Sequence, residues 1–460
     1  MSSAGRASPP FGRQVVKDLS YRVGAAVRTW QPEEGDAALY AASALFALGV
    51  IELSGLVLYR QWATMAIGPY LAAAVISAAL GRHRRHRDRE AHDQREPRPR
   101  RQWSNPRIAL FLLVLFGATL IPLSLEVAWR SGGNGGAHVQ PEVPVVEQAA
   151  RRAAHGLDPY HASVKDGKAV SLVKGEPAYE AFYPYLPLMT VFGLPSSLHA
   201  PIQLTDARIA FSGVTLLVVL GALALVRAPS ERKVRTLQVL TVLPTAALLL
   251  ATGGDDMPVV AFLLLAMVLA QRRRPGWAGV VLGIVSAMKF TAWPLAALAL
   301  FAARDAGGRR APGRMALGML VVAGPVVAPF LIHNPHVFIV NVILFPLGLS
   351  GIASPAASPM PGHLLVTAFP ALHHALPIAA FALGGTILVR HLIRRPPHSA
   401  AQVTSLAGWV ILIAILIAPA TRVGYLVYPI NFFYWAALFR GADKIEMAER
   451  SVLVGEGALA

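Results

Sequence analysis

Residues 236–274 read TLQVLTVLPTAALLLATGGDDMPVVAFLLLAMVLAQRRR. Two apolar runs, 236–252 and 257–271, flank a Gly-Gly-Asp-Asp turn, and the second run stops at Arg272-Arg273-Arg274. Each run approaches the roughly 20 apolar residues that a membrane span needs. A turn of small and acidic residues at one end and an arginine triplet at the other is the signature of a hairpin of two spans, cations inward.

The remainder of the chain repeats this pattern. Further apolar stretches fall near 37–59, 63–80, 108–128, 206–227, 277–288, 291–303, 315–332, 375–390, 402–418 and 422–440, which makes twelve spans in all. The stretch 277–303 reads as a bent pair around Lys289, and the proline-interrupted segments 184–198 and 336–350 as re-entrant or interfacial pieces. Composition agrees. Of the 460 residues, 55% are hydrophobic and 15% charged, and the mean hydropathy is +0.50. Soluble proteins run near 25% charged, so the fold class expected is all-α, a polytopic transmembrane bundle.

The chain also carries a net charge of +17, from 42 Lys and Arg against 25 Asp and Glu. With the N-terminus inside, 32 of those 42 cations fall in 1–35, 82–107, 227–235, 272–274, 304–314, 390–395 and 440–450. The excess is therefore a topological label that sets both termini in the cytoplasm. It is not the continuous basic face that nucleic acid requires. Residues 1–35 are polar and lack the apolar core of a cleavable signal, so the first span is expected to be retained. There is no cysteine, which excludes disulfides, thiolate catalysis and Cys-type zinc sites. No P-loop, Gly-x-Gly-x-x-Gly or His-Glu-x-x-His pattern occurs, so cytosolic nucleotide chemistry has no support.

The organisation expected is a cytoplasmic segment 1–35, an N-terminal helix pair 36–81 standing as an appended module, an Arg-rich linker 82–107, a membrane core 108–440 and a cytoplasmic tail 441–460. The linker, RHRRHRDREAHDQREPRPRRQWSNPR, reads as a solvated, disordered strand of orientation-setting charge. Binding of anionic lipid or nucleic acid is its weaker alternative.

One long outer segment, 129–205, follows the third span. Long loops in compact proteins are usually functional or disordered. Here EVPVVEQAARRAAH (142–155) has helical spacing after Pro144, with Gly156 as its stop. A turn follows at Leu157-Asp158-Pro159-Tyr160, and Phe182-Tyr183-Pro184-Tyr185-Leu186-Pro187-Leu188 leads back to the membrane.

This run, from Glu142 through Asp158-Pro159-Tyr160 to Tyr185-Leu186-Pro187-Leu188, resembles the first outer loop of GT-C membrane glycosyltransferases. In particular it resembles glycosyltransferase family 87, which includes polyprenyl-phosphate-mannose-dependent mannosyltransferases of actinobacteria. That family opens the loop with an acidic residue, usually Asp, continues with an Ala-rich helix and Asp-Pro-Tyr, and closes with Tyr-Pro-Pro-Leu. Here Glu142 occupies the acidic position and Leu186 replaces a proline. A second likeness is Gly279-x-x-x-Gly283-x-x-Ser286-x-x-Lys289 with Pro294 beyond, the proline lying further from the lysine than usual. The resemblance spans roughly 108–440.

It implies a bacterial plasma-membrane enzyme, actinobacterial in character. The enzyme would transfer a mannose-like hexose with inversion, from a polyprenyl-phosphate donor to an acceptor hydroxyl of a cell-envelope glycolipid or glycan. Such chemistry needs a carboxylate as general base, cations for the departing lipid phosphate and an apolar groove for the tail. One carboxylate suffices for inversion. Glu142 is the first candidate base and Glu147 the reserve; the plainer reading of Glu142 is an exposed acid or an ion pair with Arg151 or Arg152. Asp158 organises its turn, and with Tyr160 is a substrate-binding candidate through the resemblance.

Lys289 is the clearest intramembrane charge, and such charges are rare and usually functional. It reads as sitting near the outer end of a short helix, facing the lipid phosphate, with snorkelling as its alternative. Arg422 breaks the positive-inside pattern, and a guanidinium binds phosphate bidentately; Tyr425 and Tyr428 beside it are ligands or belt aromatics. Arg208 is a weaker phosphate candidate. Asp255 and Asp256 offer oxygens to a divalent metal or an acceptor, or simply make a turn with an N-cap. No motif demands a cofactor, and that metal is the one option. Gly279 and Gly283 read as a helix-packing face, Glu126 as interfacial, and His333, His336, His373 and His374 as structural. The alternative function is a transporter or lipid flippase using Lys289, Glu52, Asp255 and Asp256 at the midplane, although no internal repeat of the kind such folds show is evident.

Overall fold

The computed structural model describes residues 31–93, 105–132, 135–162, 164–165, 168–169, 177–352, 356–372 and 375–457. The architecture is an all-α polytopic bundle. Helix α1 (Pro32–Leu53) and α2 (Val57–Asp93) form an antiparallel pair. Helix α3 (Asn105–Val114) runs through a π-helical turn, Leu115–Leu120, into α4 (Ile121–Arg130). After the loop helix α5 (Glu142–Ala154) come α6 (Ala207–Leu225), α7 (Ser230–Thr241), α8 (Pro244–Thr252) and α9 (Asp256–Gln271). The chain continues with α10 (Pro275–Ser286), α11 (Trp293–Gly307) and α12 (Ala311–His333). It ends with α13 (Ala375–Arg394), α14 (Ala400–Ile417) and α15 (Val427–Gly457).

Helices lie on each of the twelve expected apolar stretches. Among the described residues, six helices are long and apolar enough to cross a membrane, or seven if the bent pair α7–α8 is one span. The bend of 42° there has Pro244 at the first turn of α8, where the missing N–H is tolerated but an unbroken helix is not. Helix α9 is buried on almost every side, from Met257 to Val268, as expected of a helix apolar all round. Gly279 and Gly283 make the close helix contact expected of them: a Cβ on Gly279 would stand 2.1 Å from the Met315 carbonyl oxygen of α12.

The loop between α4 and α6 is ordered by short elements. Helix α5 ends at Ala154, with Gly156 in the left-handed region at φ 71°. The stretch 184–198 becomes a 3₁₀ helix, Pro187–Ser197, and 336–350 begins as a short helix, Pro335–Ile339, capped by the Asn334 side chain.

One expectation is corrected here. The Arg-rich linker is not disordered throughout, because α2 continues to Asp93. Arg84 reaches Glu33 at 2.7 Å and Arg85 pairs with Glu34, so the first acids of α1 anchor the arginines; residues 94–104 lie outside the described residues. Glu126, near the end of α4, is fully buried and meets His138 Nδ1 at 3.1 Å.

The N-terminal pair packs on the core. Trp62 Nε1 donates to the Ala118 carbonyl at 2.8 Å, in the π-helical turn, and Tyr70 donates to the Val242 carbonyl between α7 and α8. Arg107, at the start of α3, joins Asp36 of α1 and Glu231 of α7, each at 2.7 Å.

Candidate active site

The Gly253-Gly254-Asp255-Asp256 turn caps α8 and opens α9. Gly253 takes φ 119°, a conformation in which a Cβ is strained, and a Cβ there would also strike Val143 of α5 at 2.3 Å. The turn thus brings the loop helix against the bundle. Asp255 and Asp256 are only 2% and 5% exposed.

Lys289 lies in neither α10 nor α11. It occupies the break between them, in extended backbone with φ −152° and ψ 137°, which is the bend expected around it and lies just past the end of α10. Its ammonium donates to Asp256 Oδ1 at 2.6 Å and to both Asp255 oxygens, at 3.1 and 3.2 Å. The rings of Tyr185 and Tyr425 stand 5.3 and 5.5 Å from it, within cation–π range. The Tyr428 hydroxyl donates to Asp256 Oδ1 at 2.6 Å and accepts from Thr291 Oγ1 at 2.7 Å. A buried polar chain, Thr291–Tyr428–Asp256–Lys289–Asp255, therefore forms one wall of the site.

The loop holds Tyr185 in place through its backbone. The N–H groups of Leu186 and Leu188 donate to the Met288 and Ala287 carbonyls, at 2.9 and 3.0 Å, satisfying acceptors freed where α10 ends. Behind them the Tyr160 hydroxyl donates to the Tyr185 carbonyl at 2.7 Å. Asp158 makes the expected turn, its Oδ1 accepting the Tyr160 N–H at 2.8 Å. Burial pushes the Tyr160 and Tyr185 phenols well above their ordinary range, so both remain protonated donors.

Opposite Lys289, Glu142 begins α5 and forms an ion pair with Arg422. Arg422 precedes α15 in extended backbone. It is steadied by the neighbouring Thr421, whose N–H donates to the Ala356 carbonyl at 2.8 Å. Glu142 Oε2 is buried and has no hydrogen-bond partner. The partner of Glu142 is thus Arg422 and neither Arg151 nor Arg152, which reach Ser196 and the Asp158 carbonyl instead.

Glu142, Lys289, Arg422 and Tyr425 line one cavity of about 280 Å³. Its polar end also holds Thr421, Tyr185 and Tyr428, and its walls continue into Phe345, Phe381, Ile411 and Ile415. Asp255 and Asp256 stand directly behind Lys289. Glu147, Asp158 and Tyr160 are not among its lining residues. Glu147 is gripped bidentately by Arg130 at 2.7 and 2.9 Å and accepts the Ala207 N–H at 3.1 Å. Arg130 also holds Asp206, which caps α6 and binds Arg208, so Arg208 is fully committed away from the cavity. Glu52 does not line the cavity either.

The cation between Asp255 and Asp256 is the Lys289 ammonium. Among the described residues no group of three or more His, Asp or Glu side chains is placed to hold a metal ion. His333 and His336 are exposed, and His373 and His374 lie outside the described residues.

Comparison with protein families matches residues 183–419 to glycosyltransferase family 87. The chain belongs to glycosyltransferase family 87. It is a multi-pass membrane glycosyltransferase, and the matched segment contains Tyr185, Asp255, Asp256 and Lys289. Arg422 falls just past the match and Glu142 well before its start, the match being narrower than the 108–440 resemblance, yet the fold brings both to the same cavity. Among curated proteins no significant match is found. Tyr185 is visible in the sequence only within the run Phe182-Tyr183-Pro184-Tyr185, and nothing in the sequence marks Thr291.

Proposed function

We propose that this glycosyltransferase moves a mannose-like hexose from a polyprenyl-phosphate donor to a hydroxyl of a cell-envelope glycolipid or glycan. The reaction would run with inversion, on the outer face of a bacterial plasma membrane. The observation that carries this reading is one cavity joining a carboxylate with an unpartnered oxygen, a guanidinium and an apolar wall. The acceptor oxygen attacks the sugar C1 while the bond from C1 to the phosphate oxygen breaks. Glu142 takes the hydroxyl proton, an assistance worth about 10²–10⁴-fold. The electron pair of the broken bond stays on the phosphate, where Arg422 faces it.

Other features support the finer points. Asp255 and Asp256 are engaged by Lys289, which leaves Glu142 as the cavity carboxylate; one general base serves a single displacement, whereas a double displacement would need a nucleophile as well. A single guanidinium suits the one charge of a phosphodiester, and the Phe345, Phe381, Ile411 and Ile415 side suits an isoprenoid tail. The cation distribution supports an outward-facing loop. Because Lys289 already engages the aspartates, this reading uses no divalent ion there.

The test is transfer in isolated membranes supplied with polyprenyl-phosphate-mannose, polyprenyl-phosphate-arabinose or a nucleotide sugar. Transfer from a lipid-phosphate sugar, resistant to EDTA, is expected. Transfer from the nucleotide sugar alone would overturn the donor assignment, and ion-coupled uptake with no transfer would favour a transporter.

A further inference from the structure

The cations of the cavity are not equivalent. An ammonium has three N–H donors, and those of Lys289 are directed at Asp255 and Asp256, at 2.6 to 3.2 Å. The rings of Tyr185 and Tyr425 flank it. Lys289 is 5% exposed and has no donor to spare for an incoming anion. Arg422 is different. Its side chain is 24% exposed and lines the cavity, and its carboxylate partner Glu142 lies at the cavity surface as well.

A phosphate arriving in this cavity therefore has one guanidinium to bind, and Glu142 already holds it. We propose that the Glu142–Arg422 ion pair is a latch opened by the donor: the lipid phosphate displaces Glu142 from Arg422 and so releases the carboxylate to act as base. The latch rests on the donor and base roles given above and adds their coupling. A carboxylate beside a guanidinium is a weak proton acceptor, and one freed from it is stronger. The base thus becomes active when the leaving group is seated, and an acceptor hydroxyl is not deprotonated in an empty site. Atoms balance without a co-reactant. The acceptor O–H proton passes to Glu142, the new C1–O bond forms, the old one breaks, and its electron pair remains on the phosphate held by Arg422.

The exchange is also reciprocal. Whatever Glu142 contributes to holding Arg422 must be given up when phosphate binds, so removing the carboxylate strengthens phosphate binding by the same factor. A charge-assisted hydrogen bond of this kind corresponds to a change of about ten-fold in affinity.

The experiment measures equilibrium binding of polyprenyl phosphate, the leaving group without its sugar, to the full chain in lipid nanodiscs. Glu142→Gln and Glu142→Ala are both expected to bind it about ten-fold more tightly than wild type. Arg422→Met binds it at least as much more weakly, and adding Glu142→Gln to Arg422→Met gives no gain. Uncharged polyprenol binds all of these alike, which reports an intact tail site, and inorganic phosphate alone binds none of them appreciably. The latch is overturned if both Glu142 variants retain polyprenol binding yet hold polyprenyl phosphate no more tightly than wild type. It is equally overturned if the gain persists without Arg422. Turnover separates the two ideas. A Glu142→Gln protein with tighter binding and normal transfer keeps the latch and removes the base; unchanged binding with lost transfer keeps the base and removes the latch.

Discussion

Lys289→Met isolates the charge at the centre of the fold. Methionine keeps the unbranched stem, so the packing lost is small, but two carboxylates that are 2% and 5% exposed lose their ammonium. Asp256 keeps the Tyr428 hydroxyl at 2.6 Å, whereas Asp255 loses both of its contacts to the lysine. Removing one partner of a buried ion pair costs about 3–5 kcal/mol, and the two cation–π contacts add to that. Burial already pushes the Asp255 carboxyl, in its interhelical turn, up to about 6 while Lys289 pulls it back; without the lysine it rises further. A carboxyl whose folded pKa is raised binds more protons folded than unfolded, so its contribution is lost as pH rises. The variant should therefore be closest to wild type near pH 5 and weakest near pH 8. SDS-driven unfolding from bicelles, followed by tryptophan fluorescence, measures the difference at both. Adding Asp255→Asn should recover part of the loss at pH 8. Wild-type stability of Lys289→Met at pH 8, or no recovery with Asp255→Asn, would refute the assignment of Lys289 as the counter-charge of this turn.

Three further outcomes follow from the packing and the polar chain. Gly279→Val places a side chain where even a Cβ is 2.1 Å from the Met315 oxygen, and should cost at least about 1–3 kcal/mol in the same unfolding assay; a stable variant would mean that α10 and α12 do not meet there. Tyr428→Phe removes the hydroxyl between Thr291 and Asp256 and should cost about 1 kcal/mol of stability, with a reduced transfer rate; equal stability and rate would take Tyr428 out of the site. Arg107→Met leaves Asp36 with Arg235 at 2.8 Å and should destabilise by about 1–2 kcal/mol while polyprenyl phosphate binding stays unchanged. Altered binding there would tie the N-terminal pair to the cavity.

The hairpin 236–274 was legible because its two apolar runs, its acidic turn and its arginine stop all agree with one another. Lys289 was legible for a related reason, since a charge inside an apolar stretch needs a partner. Its partners Asp255 and Asp256 stand out in the sequence as an acidic pair, but nothing local shows that an ammonium sits between them. The Glu142–Arg422 pair joins residues 280 positions apart, and it exists only because α5 folds back onto the turn before α15. Glu147 shows the converse. It shares a helix with Glu142 five residues on, yet its carboxylate is taken by Arg130. Arginine is a good helix former, so the linker 82–93 needed only the acids of α1 to extend α2, and those acids lie some 50 residues earlier.

The central claim is that Glu142 removes the acceptor proton during transfer from a lipid-phosphate sugar. The most direct measurement is single-turnover transfer by Glu142→Gln in membranes, with polyprenyl phosphate binding confirming an intact site. The account predicts a rate reduced by about 10²–10⁴-fold with donor-site binding retained. A variant that binds the lipid phosphate and transfers sugar at the wild-type rate would contradict it.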